Sequence, residues 1–516
     1  MILKVDNKNF LLQLLIFVSI VAKLFLSKAG FLTEPDETLY FWSFSFLKRL
    51  AHFDFYGALD SLFSARGRPV EVLIKSVPAA IQFLSAKIFG LNIFETKNMW
   101  AIFLYNLIIY LAVLYFLYKI ILIIFNSKSW ALTGVLFYSV IINSFVYLRH
   151  IYPYDTSLLL IVFLVYLLIK YYLEQKRISF GKSFLLGFLA FITFMIYPTN
   201  YLMFFVLFFL YVWILFKNFN PEWKYIYKQT FGYVAGSISV LIIFELLSRI
   251  VGKSYITNLV SLSGTIDQGD YNESVYFLFR YLLEVEGLSG IILIIGLLLY
   301  LLNIPSVFKN KKTQILAVLF LWISFLYLIH TVILCYGLQK MTVYIRQMHQ
   351  FFPFLIIFSL TGYKYFCKSM KLKFFNHKFI QNLISLMVLF IIYNQTTEYL
   401  KIAYPRDIYW KYLRHTDKKL IKEISEYKNS WSNLPDRFLE NEKISNTTDT
   451  IIAVNTQYFF PIKDISKYKV YIPPPNKNLI FEAPHFLNYK AYQYEGYSTI
   501  ERENIRKMKL KIKIYK

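Results

Sequence analysis

Residues 97–125 read KNMWAIFLYNLIIYLAVLYFLYKIILIIF, and between Met99 and Phe125 the only charged side chain is Lys119. A helix needs about 20 consecutive apolar residues to cross the hydrocarbon core of a bilayer, and this stretch is longer than that. A helix also satisfies its own backbone hydrogen bonds, as a lipid environment requires. The stretch therefore predicts a transmembrane helix, and similar stretches follow along the chain.

The composition of the whole chain agrees with a membrane protein. Of its 516 residues, 57% are apolar, 20% are aromatic and 17% are charged, whereas a soluble globular domain carries roughly 25% charged residues. The two cysteines, Cys335 and Cys367, are too few for a disulfide framework and have no metal-ligand spacing. A soluble enzyme, a disordered chain and a disulfide-rich secreted domain are therefore excluded as classes.

The number of apolar stretches predicts an all-α polytopic membrane protein with about 11 transmembrane helices. They cover residues 10–30, 97–125, 130–149, 156–174, 182–198, 201–217, 229–249, 287–303, 314–336, 349–366 and 380–396. A further apolar stretch, 71–93, is interrupted by Glu71, Lys75, Pro78 and Lys87, which is typical of a helix lying along the membrane interface.

The distribution of basic residues decides between an interfacial and a crossing helix at 71–93. The chain has 56 Lys and Arg against 31 Asp and Glu, a net charge of +25, and basic residues concentrate on the cytoplasmic side of a membrane. If the N-terminus is cytoplasmic, the basic residues fall mainly in cytoplasmic loops only when 71–93 does not cross the membrane. The charge therefore indicates cytoplasmic loops and anionic headgroups and no nucleic-acid partner.

This topology places two long loops and the end of the chain outside. Residues 1–396 are predicted to form a transmembrane domain, whose outer loops are 31–96 and 250–286. The first loop contains the helical patterns Thr38–Leu50 and Tyr56–Phe63, predicted as interfacial helices, whereas the second loop is rich in Gly, Ser and Asp and is predicted to be mobile.

The last segment, 397–516, is more polar and predicts a small α+β extracytoplasmic domain. It contains a charged helical pattern at Asp417–Tyr427 and strand patterns at Thr450–Val454 and Tyr468–Ile472.

Acidic residues at the outer surface are the first candidates for chemistry. Asp36 and Glu37 follow the first span, in a stretch that begins Thr33-Glu34-Pro35. Crowding of carboxylates at a membrane boundary favours a proton on one of them, which makes it a candidate general base. The alternative is that Asp36 only caps a helix that begins near Glu37.

A second acidic residue occurs where the fourth span begins. The stretch from Arg149 to Thr156 contains His150, Tyr152 and Asp155, and the predicted topology places it on the same face as Asp36. Two alternatives stay open, since Asp155 could serve as the N-cap of that span and His150 as an interfacial residue without a role in chemistry.

Three arginines on this face are candidate ligands for a phosphate, because a guanidinium group binds phosphate through two parallel hydrogen bonds. Arg66 and Arg68 lie in the first loop, and Arg346 precedes the tenth span. The alternative is that the loop arginines snorkel to the interface. Glu245 lies near the outer end of the seventh span, one turn from Arg249, where an ion pair within the helix is the alternative.

In their order along the chain, these elements resemble the GT-C superfamily of membrane glycosyltransferases, which use polyprenyl-phosphate-linked sugars. The likeness is to the protein O-mannosyltransferase-like and aminoarabinose transferase-like members. It rests on Asp36-Glu37 after the first span, on the stretch from Arg68-Pro69 to Asn92, on Asp155, and on Arg346 followed by Phe352-Pro353. The Pro35-Asp36-Glu37 element also resembles that of the glycolipid-anchor mannosyltransferases.

The sequence departs from these members at two places. Residues 66–71 lack the Lys-Pro-Pro of the aminoarabinose-type members, and Tyr197-Pro198 replaces a basic or Arg-Pro element. The sugar and the acceptor therefore stay open.

The resemblance implies a glycosyltransferase that moves a sugar from a polyprenyl phosphate to a lipid, glycan or protein acceptor at the extracytoplasmic face, with inversion. Asp36 is the preferred base, Glu37 the next choice, and Asp155 assists. The arginines stabilise the leaving phosphate, and the same carboxylates, Asp36 and Asp155, are candidate ligands for a divalent cation, Mg²⁺ or Mn²⁺. The residues expected to line the substrate site are His150, Tyr152, Tyr197 and Glu245.

Two other functions are compatible with a polytopic membrane chain. A lipid-linked-oligosaccharide flippase or other transporter would place charges near the midplane between inverted repeats, and no paired halves are evident here. A polysaccharide polymerase or ligase would carry its key basic residues in a late outer loop. The outer C-terminal domain favours the bacterial inner membrane, and hence a cell-envelope glycan, over the endoplasmic reticulum.

Overall fold

The structure is a computed structural model of the full chain. It describes residues 9–27, 39–64, 67–90, 99–146, 148, 151–220, 222–264, 275–338, 345–369, 430–431, 451–454, 478–484, 503 and 511–515. Outside the last five of these ranges, every regular element is helical. The α-helices are α1 (Phe10–Ser27), α2 (Tyr40–Ala51), α3 (Phe55–Phe63), α4 (Pro69–Phe89), α5 (Trp100–Phe125), α6 (Lys128–Val140), α7 (Asn143–Val146), α8 (Tyr154–Glu174), α9 (Phe180–Ile196), α10 (Tyr201–Phe219), α11 (Trp223–Ile250), α12 (Tyr255–Gly264), α13 (Phe277–Glu284), α14 (Leu288–Leu302), α15 (Ile304–Lys309), α16 (Lys311–Leu328), α17 (Ile345–Met348) and α18 (Phe352–Ser369).

Within the described residues, six helices are long and apolar enough to cross a membrane. They are Pro69–Phe89, Trp100–Phe125, Tyr154–Glu174, Pro198–Phe219, Trp223–Ile250 and Lys311–Gly337, and three shorter apolar helices cover Phe10–Ala22, Phe180–Ile196 and Leu288–Leu302. The predicted class, an all-α membrane protein, is therefore confirmed. The count of about 11 spans stays a prediction, and the predicted span 380–396 lies outside the described residues.

The described part of the predicted first outer loop is mostly helical, as its sequence pattern predicts. Helices α2 and α3 match the predicted patterns Thr38–Leu50 and Tyr56–Phe63. Helix α4 begins with Pro69 at its first position, where a proline costs no hydrogen bond, and ends at Gly90, which has a φ of 62°. Since α4 is also long and apolar enough to cross, its interfacial placement stays a prediction based on loop charge.

The predicted span 130–149 is not one helix, and this is a correction. Helix α6 ends at Val140, and the short helix α7 begins only at Asn143. The carboxylate of Glu286 accepts hydrogen bonds from the backbone amides of Ile142 and Asn143, at 2.8 Å each. These amides are thereby satisfied by a side chain instead of by the preceding turn, and the helix is interrupted.

The predicted second outer loop contains helices α12 and α13 at its two ends, which its composition, rich in Gly, Ser and Asp, does not indicate. Helix α12 is supported at its start by Glu245, whose carboxylate accepts hydrogen bonds from the Ile256 amide at 3.0 Å and the Ser254 hydroxyl at 3.1 Å. This support comes from another helix, so the local composition of the loop does not reveal it.

Two predicted spans have irregular segments at one end. After α16 the chain continues as a π-helical segment, Ile329–Gly337, and α18 is preceded by a 3-10 turn, His349–Phe351. π-Helical segments are rare and often lie at functional sites. Here the buried His330 ring contacts the Tyr201 hydroxyl at 2.5 Å and lies 3.5 Å from the Cys335 sulfur.

The described part of the C-terminal segment contains four strands, in the sheet order β1-β2-β4-β3. They are β1 (Ser430–Trp431), β2 (Ile451–Val454), β3 (Leu479–Pro484) and β4 (Lys511–Tyr515). Strand β2 confirms the pattern at Thr450–Val454, whereas Asp417–Tyr427 and Tyr468–Ile472 lie outside the described residues. The domain boundary near residue 397 stays a prediction.

Helices α9 and α11 pack with their backbones in contact, because each helix places a glycine against the backbone of the other. A Cβ atom on Gly187 would overlap the carbonyl oxygen of Tyr233, and one on Gly236 would overlap the carbonyl oxygen of Phe184. Small residues allow such close approach between helices in lipid, where packing replaces the hydrophobic effect as the driving force. In addition, the Ser237 hydroxyl donates to the Gly187 carbonyl at 3.0 Å.

We expect a Gly236→Ala substitution to destabilise this helix pair, because the new methyl group meets backbone atoms that cannot move away. The expected cost is about 1–3 kcal/mol, as for other overpacked sites, measured as a lower thermal midpoint of the protein in detergent. Gly181→Ala in α9 is the matched control, since a Cβ there meets nothing within 4 Å. Equal stability of the two variants would contradict the close approach.

Candidate active site

Asp155 lies in the first turn of α8, and Pro153 occupies the N-cap position. The alternative that Asp155 is the N-cap is therefore wrong. Its Oδ1 atom instead lies 2.7 Å from Nε2 of His349, which belongs to the 3-10 turn before α18. A carboxylate is also favoured in the first turn of a helix by the helix dipole. The Asp155 side chain is 12% exposed and that of His349 only 2%.

The imidazole of His349 has a partner on each side. Its Nδ1 atom lies 2.7 Å from Oδ1 of Asn143, and Asn143 is the first residue of α7. As described for the interrupted span, the Asn143 backbone is held by Glu286, whose side chain is fully buried. These contacts connect the α6–α7 junction and the start of α8 to Glu286 and His349, which lie much later in the sequence, and they end at the Asp155 carboxylate.

A buried ion pair attaches helix α4 to the segment that precedes α8. The Lys75 ammonium donates to Glu71 Oε1 at 2.5 Å and to the backbone carbonyl of Ile151 at 2.8 Å. Both side chains are 3% exposed or less. Charges buried to this extent are stable only when they are paired and hydrogen-bonded. The pair therefore positions α4 against the segment that leads into Asp155.

Arg68, at the N-cap of α4, lies against the same segment. Its guanidinium is 3.8 Å from Glu71 Oε2 and stacks over the Tyr197 ring, 5.5 Å from the ring centre. The centres of the Tyr197 and Tyr154 rings are 4.6 Å apart, and those of the Tyr154 and Tyr152 rings are 4.9 Å apart. Aromatic rings thus connect Arg68 to the residues on either side of Pro153.

The residues that meet here form what we call the Asp155 cluster. Its members come from α4, from the α6–α7 junction, from the start of α8, from the end of α9 and from the turn before α18. They are Arg68, Glu71, Lys75, Asn143, Tyr152, Tyr154, Asp155, Tyr197 and His349.

Four residues predicted from the sequence are thereby brought together: Arg68, Tyr152, Asp155 and Tyr197. The others either lie elsewhere or are not described. Glu245 forms an ion pair with Arg249 at 2.7 Å, as the alternative predicted, and its described contacts support α12 instead of the Asp155 cluster. Asp36, Glu37, Arg66 and His150 lie outside the described residues, as does the side chain of Arg346.

Sequence reasoning missed six residues of the arrangement: Glu71, Lys75, Asn143, Tyr154 and His349 of the cluster, and Glu286, which holds the Asn143 backbone. The spacing of Glu71 and Lys75, four residues apart on a helix, is a signal for an ion pair, although both residues also interrupt an apolar stretch. His349 follows Arg346 closely, just before a span. No local signal marks Asn143 or Glu286.

The described residues do not form a metal site by themselves. Among them, no group of three or more His, Cys, Asp and Glu side chains is placed to hold a metal ion. One Asp155 oxygen is engaged by His349. A divalent cation at this position would therefore need oxygen ligands from residues beyond the described ones, such as the predicted ligand Asp36.

Comparison with known proteins gives one family. Residues 77–253, about a third of the chain, match the family model described as dolichyl-phosphate-mannose-protein mannosyltransferase. Neither the curated proteins nor the solved structures give a match. The matched segment extends from α4 to the end of α11, and it includes Tyr152, Asp155 and Tyr197 of the Asp155 cluster.

We expect Lys75→Met to destabilise the protein strongly, because it leaves the Glu71 carboxylate buried without its cation. Breaking a buried pair typically costs about 3–5 kcal/mol. The matched control is Lys176→Met, which removes an exposed lysine paired with Glu174 at 3.1 Å and should change stability by less than about 1 kcal/mol.

Thermal unfolding in detergent would measure both variants. The double variant Glu71→Gln/Lys75→Met should recover part of the loss, since no unpaired charge remains. If Lys75→Met unfolds at the same temperature as Lys176→Met, the pair does not hold α4 in place.

Proposed function

We propose, from the premise that this chain is a multi-pass membrane glycosyltransferase of the dolichyl-phosphate-mannose-protein mannosyltransferase type, that it transfers a sugar from a polyprenyl phosphate to a lipid, glycan or protein acceptor at the extracytoplasmic face. Membership of an enzyme class sets aside the flippase alternative. A polymerase or ligase is not favoured by any contact in the described residues.

The observation that carries the proposal is the convergence of Arg68 and Asp155 at the start of α8. A transferase of this type needs a cation for the leaving phosphate and a carboxylate for the acceptor within one site. Arg68 is held by Glu71 and by the Tyr197 ring, and this ring contacts that of Tyr154, the residue directly before Asp155. Both functional groups thus belong to the same cluster.

The proposed reaction is a direct displacement at the anomeric carbon. The acceptor oxygen forms a bond to this carbon while the bond to the phosphate oxygen breaks, which inverts the configuration. The acceptor proton passes to Asp36, or to Glu37 as the next choice. The negative charge that develops on the departing phosphate is stabilised by Arg68, with Arg66 and Arg346 as further candidates. Asp155 orients the acceptor hydroxyl.

Two aspects of the proposal extend beyond the described residues. A divalent cation, Mg²⁺ or Mn²⁺, would be held by Asp36 together with the second oxygen of Asp155 and would add positive charge near the phosphate. The bacterial inner membrane is the favoured location, with the endoplasmic reticulum as the alternative, because the outer C-terminal segment resembles that of bacterial members.

We expect Arg68→Gln to lower kcat by about 100-fold, because the leaving phosphate loses a cationic hydrogen-bond donor. The assay incubates the purified protein with a panel of polyprenyl-phosphate sugars and follows release of the polyprenyl phosphate. Arg177→Gln is the matched control, since Arg177 is an exposed arginine paired with Glu222. If Arg68→Gln retains the rate of the control, Arg68 does not serve the phosphate.

Asp36→Asn should abolish transfer, since an amide cannot accept the acceptor proton. The same assay measures this variant, and the amount of monodisperse protein shows whether it folds. Full transfer by a normally folded Asp36→Asn protein would exclude Asp36 as the base and leave Glu37 to be tested in the same way.

A further inference from the structure

His349 links Asp155 to two buried residues, Asn143 and Glu286, that have no part in the proposed reaction. The ring lies between two partners, with Nε2 at 2.7 Å from Asp155 Oδ1 and Nδ1 at 2.7 Å from Asn143 Oδ1. Asp155 and Asn143 lie 194 and 206 positions before His349 in the sequence. A ring held at both nitrogens has one orientation, and it therefore fixes the position of the Asp155 carboxylate bonded to Nε2.

The support behind His349 is itself rigid. Asn143 begins α7, and its backbone amide, like that of Ile142, donates to the fully buried Glu286 carboxylate at 2.8 Å. Hydrogen bonds to a charged acceptor are about twice as strong as neutral ones. Glu286 therefore holds the start of α7, and Asn143 is presented to the imidazole from a fixed backbone.

The Asn143 side chain also decides which ring nitrogen carries a proton. If its carbonyl oxygen faces Nδ1, then Nδ1–H donates, and one proton is shared between Nε2 and the Asp155 carboxylate. If the amide is turned around, its NH₂ group donates to Nδ1, and the proton of the neutral ring lies on Nε2, directed at Asp155. In both cases the Asp155 oxygen is tied to Nε2 by a hydrogen bond.

The two carboxylates of the cluster have different partners. Lys75 and Arg68 lie against Glu71, while Asp155 is held by His349. The described contact that orients Asp155 is therefore made by the imidazole and not by a cation of the cluster.

We propose that His349, oriented by Asn143, is a positioning residue that holds the Asp155 carboxylate towards the acceptor. The inference rests on the proposed function, in which Asp155 orients the acceptor hydroxyl. The imidazole itself is buried behind Asp155 and does not touch the substrate. Its contribution passes entirely through the Asp155 carboxylate, so it disappears when that carboxylate is absent.

The test compares two replacements of His349 in the full-length protein. His349→Phe removes both hydrogen bonds and should lower kcat about 10- to 100-fold, the loss found when a residue that orients a functional ligand is removed. His349→Gln retains an N–H group that reaches towards Asp155 and should recover most of this loss. A merely structural role would not distinguish the two variants in kcat once the folded fraction is equal.

A double-mutant cycle tests whether His349 acts through Asp155. In an Asp155→Asn background, His349→Phe should cause no further decrease in kcat, because the carboxylate that it positions is gone. If the double variant instead shows the product of the two single losses in kcat, the proposal is overturned. His330→Phe is the matched control, since His330 is also a buried histidine, bonded to the Tyr201 hydroxyl, and its loss should multiply with that of Asp155→Asn or leave kcat unchanged.

Two further measurements keep the test decisive. If His349→Phe does not fold, Asn143→Ala removes only the contact at Nδ1 and should still lower kcat, with no further decrease in the Asp155→Asn background. If the wild-type protein transfers no sugar from any donor, the proposed function fails. In that case the same double-mutant cycle is measured by thermal midpoint. If the midpoint shifts of the His349 and Asp155 substitutions are additive, the two side chains are not coupled and the inference fails.

Discussion

The site depends on the rule that a charge buried among apolar helices must have its partners within the protein. Lys75 obeys this rule by binding both Glu71 on its own helix and the carbonyl oxygen of Ile151. The second contact joins α4 to the residues that lead into α8. With α4 held there, Arg68 lies over Tyr197 and the rings that follow reach the neighbourhood of Asp155.

The same rule accounts for the support on the other side of Asp155. Glu286 is fully buried, and it takes its hydrogen bonds from the backbone where the predicted span 130–149 is interrupted. The interruption begins a new helix at Asn143, whose side chain reaches His349. A single buried carboxylate thus breaks one helix and, through that break, orients an imidazole and a second carboxylate. Stability and the geometry of the candidate site therefore have the same physical origin.

Features that depend on neighbouring residues were predictable. The helices α2, α3, α5 and α8 follow stretches whose length and apolar pattern are read directly from the sequence. The interruption after α6 was not predictable, because the side chain that causes it lies 144 residues away. The helix at the start of the second outer loop was missed for a similar reason, since Glu245, which supports it, belongs to the preceding helix.

The sequence by itself determined that this is an all-α membrane protein, and it identified Arg68, Tyr152, Asp155 and Tyr197 as candidates, because hydrophobic length and the position of polar residues at span ends are local properties. Only the tertiary structure decided the partners of these residues. Asp155 bonds to a histidine 194 positions away instead of capping its own helix, and Glu245 supports a neighbouring helix instead of joining the cluster. Distances between such residues follow from how the helices pack, and no local pattern encodes them.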